Sequence, residues 1–441
     1  METCIAMQNW LKEEHLLSNL RVERIPFHRS KEWQWNDQGF LTHRTKRFFN
    51  IIGVKYFSID HAKLLSQPII DQSEIGLLSF FVFRGSDGWW ILAHAKVEPG
   101  NVNGAQLAPT VQATKSNYEA AHGGDATPYL SRAQSAHQTL YNQLQSEQNS
   151  RFLAKRNRNN VIQLNEKIEE KGSHFKWVHL NQFLPQLGES HTINTDARSV
   201  LTCWLFTDVN ALRQCLPHNA FSGLLLESME SQQVLHPTKT LDAWLTILNQ
   251  TYCKKTKIIS LKTLDTPWAC TENRVFSPED PSLMIYQIAV SCKKREVAQW
   301  DQPIAGTQTQ SRIILFIGSF KKSLHLLLKA KKEAGNRNGF ELTTTVQTDS
   351  MNSADCDQRF IEMAQTGKQL LSFNNSEEGG RFDQCISHYQ IVWMDTVTPE
   401  QEDSFHRWIS LSQVSDFLRK ENIITNELRS ALSSLLCGRK L

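Results

Sequence analysis

The feature that most constrains this chain is a stretch it contains twice. Residues 94–118 read HAKVEPGNVNGAQLAPTVQATKSNY, and residues 329–348 read KAKKEAGNRNGFELTTTVQT. Ala95, Lys96, Glu98, Gly100, Asn101, Asn103, Gly104, Leu107, Thr110, Val111 and Gln112 recur as Ala330, Lys331, Glu333, Gly335, Asn336, Asn338, Gly339, Leu342, Thr345, Val346 and Gln347, at a constant spacing of 235. Eleven identities in register over so short a span predict an internal duplication. In the first copy, Pro99, Gly100, Asn101, Asn103 and Gly104 form a turn signal. Before it, Ala93, Ala95 and Val97 alternate with His94, Lys96 and Glu98. After it, Ala105, Leu107 and Val111 alternate with Gln106, Thr110, Gln112 and Thr114. Successive strand side chains point to opposite faces, so the pattern predicts a hairpin with one small apolar face and one polar face. An antiparallel sheet can turn such a face to water. Amides and hydroxyls, which donate and accept, equally suit a pocket for a polyhydroxylated ligand.

The duplication sets the expected organisation. A length of 441 residues alone allows two to four domains. The repeat predicts two, over 1–206 and 239–441, with 207–238 as the connection. The chain opens with an amphipathic helix bearing Trp10, Leu11, Leu16, Leu17 and Leu20. Strands are expected over 48–57, 75–83 and 88–98, with Asp87-Gly88 as a hairpin turn. Residues 67–72 read as a loop, 135–153 as a helix, 161–164 as a strand and 174–206 as helical, with a new helix starting at Asp196. Further pairs extend the repeat: Trp244 matches Trp10, and SEEGGRF at 376–382 matches SEQNSRF at 146–152. Strands in the middle of each copy and helices at its ends predict an α+β fold.

Composition excludes several classes. Hydrophobic content of 40% and charged content of 21% are those of a globular protein. A net charge of +3 is too small to predict a nucleic-acid or membrane partner, but allows a local site for a small anion. The nine cysteines are scattered without a C-x-x-C, which predicts reduced thiols and a cytoplasmic setting rather than a disulfide framework or metal cluster. No apolar run approaches the length of a membrane span.

The two copies also differ. Pro99, Gln106, Pro109, Thr114 and Tyr118 become Ala334, Glu341, Thr344, Asp349 and Ser353, and the basic run KRNRN becomes CISHY. Copy two loses positive charge and gains acids, an exchange that degrades a site for a phosphorylated ligand. One working pocket, organised by copy one, and a decayed second are expected.

AKVEPGNVNGAQLAPTVQATKSNY, then HGG, PYL, LQSEQ, RFL, KRNRN and NTDARSVL, resemble the sugar-nucleotide 2,3-dehydratases of deoxysugar biosynthesis over nearly the whole chain. The resemblance implies a tandem duplication of two Nudix-like α+β domains, a homodimer, and a dTDP-linked 4-keto-6-deoxy sugar as substrate. It implies removal of the C2 hydroxyl to leave a 3,4-diketo-2,6-dideoxy sugar nucleotide. Where the family carries EPGN…QL-x-PTVQ in both repeats, the second copy here reads EAGN…ELTTTVQ. The hydrolytic Nudix box, G-x5-E-x7-R-E-x2-E-E, is absent from both copies.

The chemistry needs a base for the C3 proton, an acid for the C2 hydroxyl and donors to the C4 enolate oxygen. The ketone already present serves as electron sink, so no cofactor and no metal are expected. Tyr118 is a candidate acid or enolate donor, or a core-edge tyrosine. His122 is a candidate base, or a loop histidine. Lys96 and Glu98 are candidate catalytic groups, or a structural ion pair kept in both copies. Asn101, Gln106, Thr110, Gln112, Thr114 and Asn117 are candidates to hold the substrate, or members of a cross-strand polar ladder. Arg156 and Arg158 fit the diphosphate, or belong to a solvated charge run. Trp33, Trp35 or Tyr129 could stack on the nucleobase. A non-catalytic sugar-nucleotide-binding protein of the same fold is the alternative to the enzyme.

Overall fold

The computed structural model describes residues 2–115, 126–136, 138–293, 297–348 and 355–438. Two large mixed sheets dominate. In the first, Thr139–Ser146, Arg156–Leu164, Gly76–Gly85, Gly88–Val97 and Phe175–His179 lie side by side in that order. Ala105–Ala108 pairs with Gly88–Val97, and Val111–Ala113 with Gly76–Gly85. The second runs Lys368–Ser376, Ile386–Met394, Ser311–Phe320, Ser323–Lys331 and His406–Ser410. There Glu341–Thr343 and Val346–Thr348 occupy the matching positions. The strand order is the same in both sheets, down to one parallel pairing in each. GLLSFFVF at 76–83 is almost continuously apolar because its strand is covered on both faces. Phe80 and Val82 join the main core, whereas Leu77 and Phe81 join a smaller one with Leu92 and Phe175.

Between the sheets lie the helices Thr195–Leu205 and Asn426–Ser434, every residue of which is buried. Arg198 and Arg429 sit among them with no exposed surface. Burying a cation is costly unless its donors are satisfied. Arg198 Nη1 donates to Leu187 O and to Ser433 Oγ, and Arg429 Nε donates to Ser199 Oγ. Each arginine thus reaches across to the other helix, and the two halves share one core.

The halves also exchange parts. Arg21–Ile25 pairs with Met284–Ser291 in the small sheet of the second half, and Lys257–Ile259 pairs with Asn50–Ser58 in that of the first. The turn at Gly100 receives loop 376–382: Gly100 N donates to Gly379 O and Gln384 N to Gly100 O, at 2.8 and 2.9 Å. The turn at Gly335 receives loop 146–152 the same way, through Asn149 O and Ala154 N, both at 2.8 Å. A Cβ on Gly100 would stand 1.8 Å from Phe382 O, and one on Gly335 1.8 Å from Phe152 O. Glycine is required at both turns because another backbone occupies that space.

Several local expectations are corrected. Residues 67–72 belong to strand Lys63–Asp71; Pro68 is tolerated because this is an edge strand, where its missing N–H breaks no ladder. Residues 135–153 are not one helix but strand Thr139–Ser146 followed by the exchanged loop. The segment 174–206 opens as a strand, Phe175–His179, before turning helical. The segment 207–238 holds helices Val209–Cys215 and Ala220–Glu230, with Leu212 and Leu225 buried in the shared core. The hairpin itself splits after Ala108, its last residues crossing from one central strand to the other.

Gly100→Ala should unseat loop 376–382 and destabilise the fold by about 1–3 kcal/mol or more. Urea unfolding of the variant checks this; an unchanged midpoint would show that the close approach is not needed.

Candidate active site

A cavity of about 480 Å³ opens where the copy-one turn meets loop 376–382. Its inner end is polar: buried Lys96, Glu98, Glu147, Lys155, Asn157 and Asp196 come from the first half, and half-buried Glu378 and Arg381 from the second. Exposed Lys31, Arg44 and Thr45 stand at the other end, with Trp33, Phe48 and Phe49 in the wall.

Local structure aims each group. In the strand Gly88–Val97 and the turn after it, Lys96 and Glu98 are two residues apart and share a face; Lys96 Nζ lies 2.9 Å from Glu98 Oε1. Glu147 lies in the exchanged loop, pinned by Asn157 Nδ2 at 2.8 Å and by Asn426 Nδ2 at 2.9 Å. Lys155 precedes the strand Arg156–Leu164 and donates to Glu74 O at 2.8 Å. Asp196 occupies the first turn of helix Thr195–Leu205, capped by Asn194. Gln112 donates to Glu378 Oε1 at 3.3 Å and accepts from Asn194 Nδ2 at 3.1 Å. Arg381 donates to Gln72 Oε1 at 3.2 Å, with its guanidinium 4.2 Å from the Phe49 ring centre.

Crowding of buried charge perturbs these groups. Burial pushes the Glu147 carboxyl up to about 7, against the pull of Arg429 and Lys155. Burial and then Glu98 raise Glu378. Burial, Glu147 and Glu378 hold Asp196 well above the usual carboxylate range. Burial depresses Lys155, opposed by Glu74 and Glu147. Groups so perturbed in a cleft are candidates for proton transfer.

The sequence candidates divide. Lys96, Glu98, Gln112 and Thr114 line the cavity. Asn101, Gln106 and Thr110 do not. Asn101 ties the turn together through Lys96 O and Gly104 O. Gln106 bonds His191 O and Ser376 Oγ. Thr110 bridges the central strands, accepting from Phe81 N and donating to Leu92 O. All three hold the fold because the hairpin splits at Pro109 and its polar face does not stay on one side. Arg156 and Arg158 also lie outside the cavity, Arg156 3.9 Å from Glu421 and Arg158 2.8 Å from Asn142. Alternation along the strand turns Lys155 and Asn157 inward and these two arginines away. Trp33 is in the wall, whereas Tyr129 is a core residue packed on Phe81 and Phe175. Asn117, Tyr118 and His122 lie outside the described residues.

Sequence reasoning missed Lys155, Glu147, Asp196, Glu378 and Arg381. A period of two across KRNRN would have found the lysine. The paired SEQNSRF and SEEGGRF carried the other signal, hidden by reading the first as helix.

The matching positions of the second half enclose about 30 Å³. Gln347, Glu377, Cys385, Ser387 and Glu427 stand there for Gln112, Glu147, Lys155, Asn157 and Asp196. Gln148 and Arg151 of the first half stand for Glu378 and Arg381. Glu341, expected to spoil this pocket, is instead bound by Ser146, Asn149 and Asn336. Asp349 and Ser353 lie outside the described residues.

The cavity brings buried carboxyls beside cations, an arrangement of the kind that acid–base chemistry on an anionic ligand requires. Residues 5–204 and 238–435 match the family model described as NDP-hexose 2,3-dehydratase, and the chain belongs to that family. A protein of Saccharopolyspora spinosa named dTDP-4-dehydro-6-deoxy-alpha-D-glucopyranose 2,3-dehydratase is 30% identical over 451 residues, covering 97% of this chain and 90% of its own. Proteins of the same name from Streptomyces violaceoruber and Amycolatopsis orientalis are 29% and 27% identical, over 96% and 97% of this chain and 95% and 88% of their own. A crystal structure of an ADP compounds hydrolase aligns with a TM-score of 0.24 at 13% identity, over 36% of this chain and 88% of its own, too weak a likeness to bear on the fold.

Lys155→Ala or Arg381→Ala should weaken binding of dTDP by about 1.5–3 kcal/mol, the worth of a charge-assisted contact. Arg156→Ala/Arg158→Ala should leave it within about two-fold, less than 0.5 kcal/mol. Calorimetric titration separates the two; the reverse ranking would move the phosphate site to the outer face of that strand.

Proposed function

We propose that this chain is a dehydratase that removes the C2 hydroxyl of a dTDP-linked 4-keto-6-deoxy hexose and leaves a carbonyl at C3. What carries the reading is membership of the NDP-hexose 2,3-dehydratase family across both matched regions. The cavity supports it: the cations Lys155 and Arg381 suit a diphosphate, and buried carboxyls suit proton transfer beside a sugar. Lys96 and Glu98, an ion pair lining the cavity, are retained as candidate catalytic groups. Thr114 and Gln112 are retained as substrate contacts. Asn117, Tyr118 and His122 stay in the proposal as a further contact, donor and base.

The chain is further inferred to be a tandem duplication of two Nudix-like units, over 1–206 and 239–441. The shared strand order and the two matched regions support that inference. A cytoplasmic homodimer completes the proposal. Among the described residues no helix is long and apolar enough to cross a membrane. Light scattering should return about twice the chain mass; a single chain mass would remove the dimer.

Incubation with dTDP-4-keto-6-deoxy-glucose, without nicotinamide or added metal, should yield a nucleotide sugar lighter by one water in mass spectra. Unchanged substrate would contradict the proposed activity. Loss of turnover in a chelator, restored by magnesium, would contradict the metal-free chemistry.

A further inference from the structure

Four carboxyls meet at the inner end of the cavity, and three are held. Glu98 is ion-paired with Lys96, Glu147 accepts from two asparagine amides, and Glu378 accepts from Gln112. Asp196 is 3% exposed and lines the cavity, yet accepts no hydrogen bond from a described residue. Its oxygens are not among the fully enclosed unpartnered atoms, so they open on the cavity, where a bound ligand can take the missing hydrogen bond. We propose that Asp196 is the general acid that protonates the departing C2 hydroxyl. This rests on the dehydratase reading.

The surroundings decide which form Asp196 takes. Glu98, Glu147 and Glu378 face it with like charge, and Lys96, Lys155 and Arg381 line the same cavity with opposite charge. The N-terminus of helix Thr195–Leu205 also favours an anion. Burial outweighs these pulls, and with the three acids it raises the proton affinity of Asp196 well above the usual carboxylate range. A carboxylic acid held neutral by an apolar or like-charged site can donate where an exposed one is ionised. Its counterpart in the second half, Glu427, faces about 30 Å³, too little for a hexose.

The step balances. A base takes the C3 proton, and the C–H electron pair becomes the C4 enolate. That pair returns to form the C2=C3 bond as the C2–O bond breaks. The oxygen takes the bond pair and the Asp196 proton and leaves as water. Asp196 is left ionised beside three carboxyls, and the proton held by the base restores it. The resulting C3 enol then moves its hydroxyl proton to C2, giving the ketone.

Asp196→Asn is compared with wild type on two substrates: the 4-keto-6-deoxy sugar nucleotide, and its analogue with fluorine in place of the C2 hydroxyl. Fluoride leaves without protonation. The variant should lose about 10²–10⁴-fold in turnover of the hydroxyl substrate, the usual worth of a positioned acid. It should retain fluoride release within a few-fold of wild type, and in D2O still exchange the C3 hydrogen. Equal loss on both substrates, or no loss on the first, would overturn the assignment. Wild type that forms no dehydrated product would instead overturn the dehydratase reading. The acid acts protonated, so turnover should fall as pH rises through its pKa. If Asp196→Asn does not fold, Asp196→Glu should shift that limb of the pH profile; an unmoved limb would also overturn the proposal.

Discussion

The structure depends on two backbones meeting where no side chain fits. Loop 376–382 lies against Gly100, and loop 146–152 lies against Gly335. Each contact is made of backbone hydrogen bonds at a position with no room for a Cβ, so each tolerates only glycine. The exchange means that neither half closes its own pocket. Glu378 and Arg381 reach the first-half cavity because their loop is seated on the first-half turn. The crossed arginines, Arg198 and Arg429, fix the two central helices and so fix the distance over which the loops must reach.

The same exchange accounts for the inequality of the two pockets. In the second half, Gln148 donates to Glu377, so amide and carboxylate satisfy one another and the space closes. In the first half the corresponding pair is Glu378 and Glu147, two acids: Glu378 adds to the burial that raises Glu147, and Glu378 is itself raised by burial and by Glu98. Lys155 adds a cation where the second half has Cys385. These two exchanges accompany the difference between a space of about 30 Å³ and an open cavity of about 480 Å³ lined by both acids and cations. The sequence pointed to this inequality, but placed its cause at Glu341, which instead ties down the exchanged loop.

What was legible in the sequence was what periodicity and glycine chemistry encode. The turn glycines, the strands around Asp87-Gly88 and the N-terminal helix follow from local pattern and are present. Lys96, Glu98, Gln112 and Thr114 were readable because alternation held along their strands. Gln106 and Thr110 were not, because the strand changes partners at Pro109, a tertiary event with no local signature. Arg156 and Arg158 misled because charge was read without its strand phase, which gives the cavity to Lys155 and Asn157. Glu378 and Arg381 could not be placed from local pattern, since their position depends on contacts some 280 residues away along the chain. Asp196 was seen only as a helix start, which it also is.

The central claim is that one ligand site is built from both halves. A crystal structure with dTDP bound tests it most directly. dTDP is expected in the cavity of about 480 Å³, with its diphosphate against Lys155 and Arg381. Density for dTDP beside Arg156 and Arg158 on the outer face of the sheet, or in a site formed by the first half alone without contact to Arg381, would contradict it.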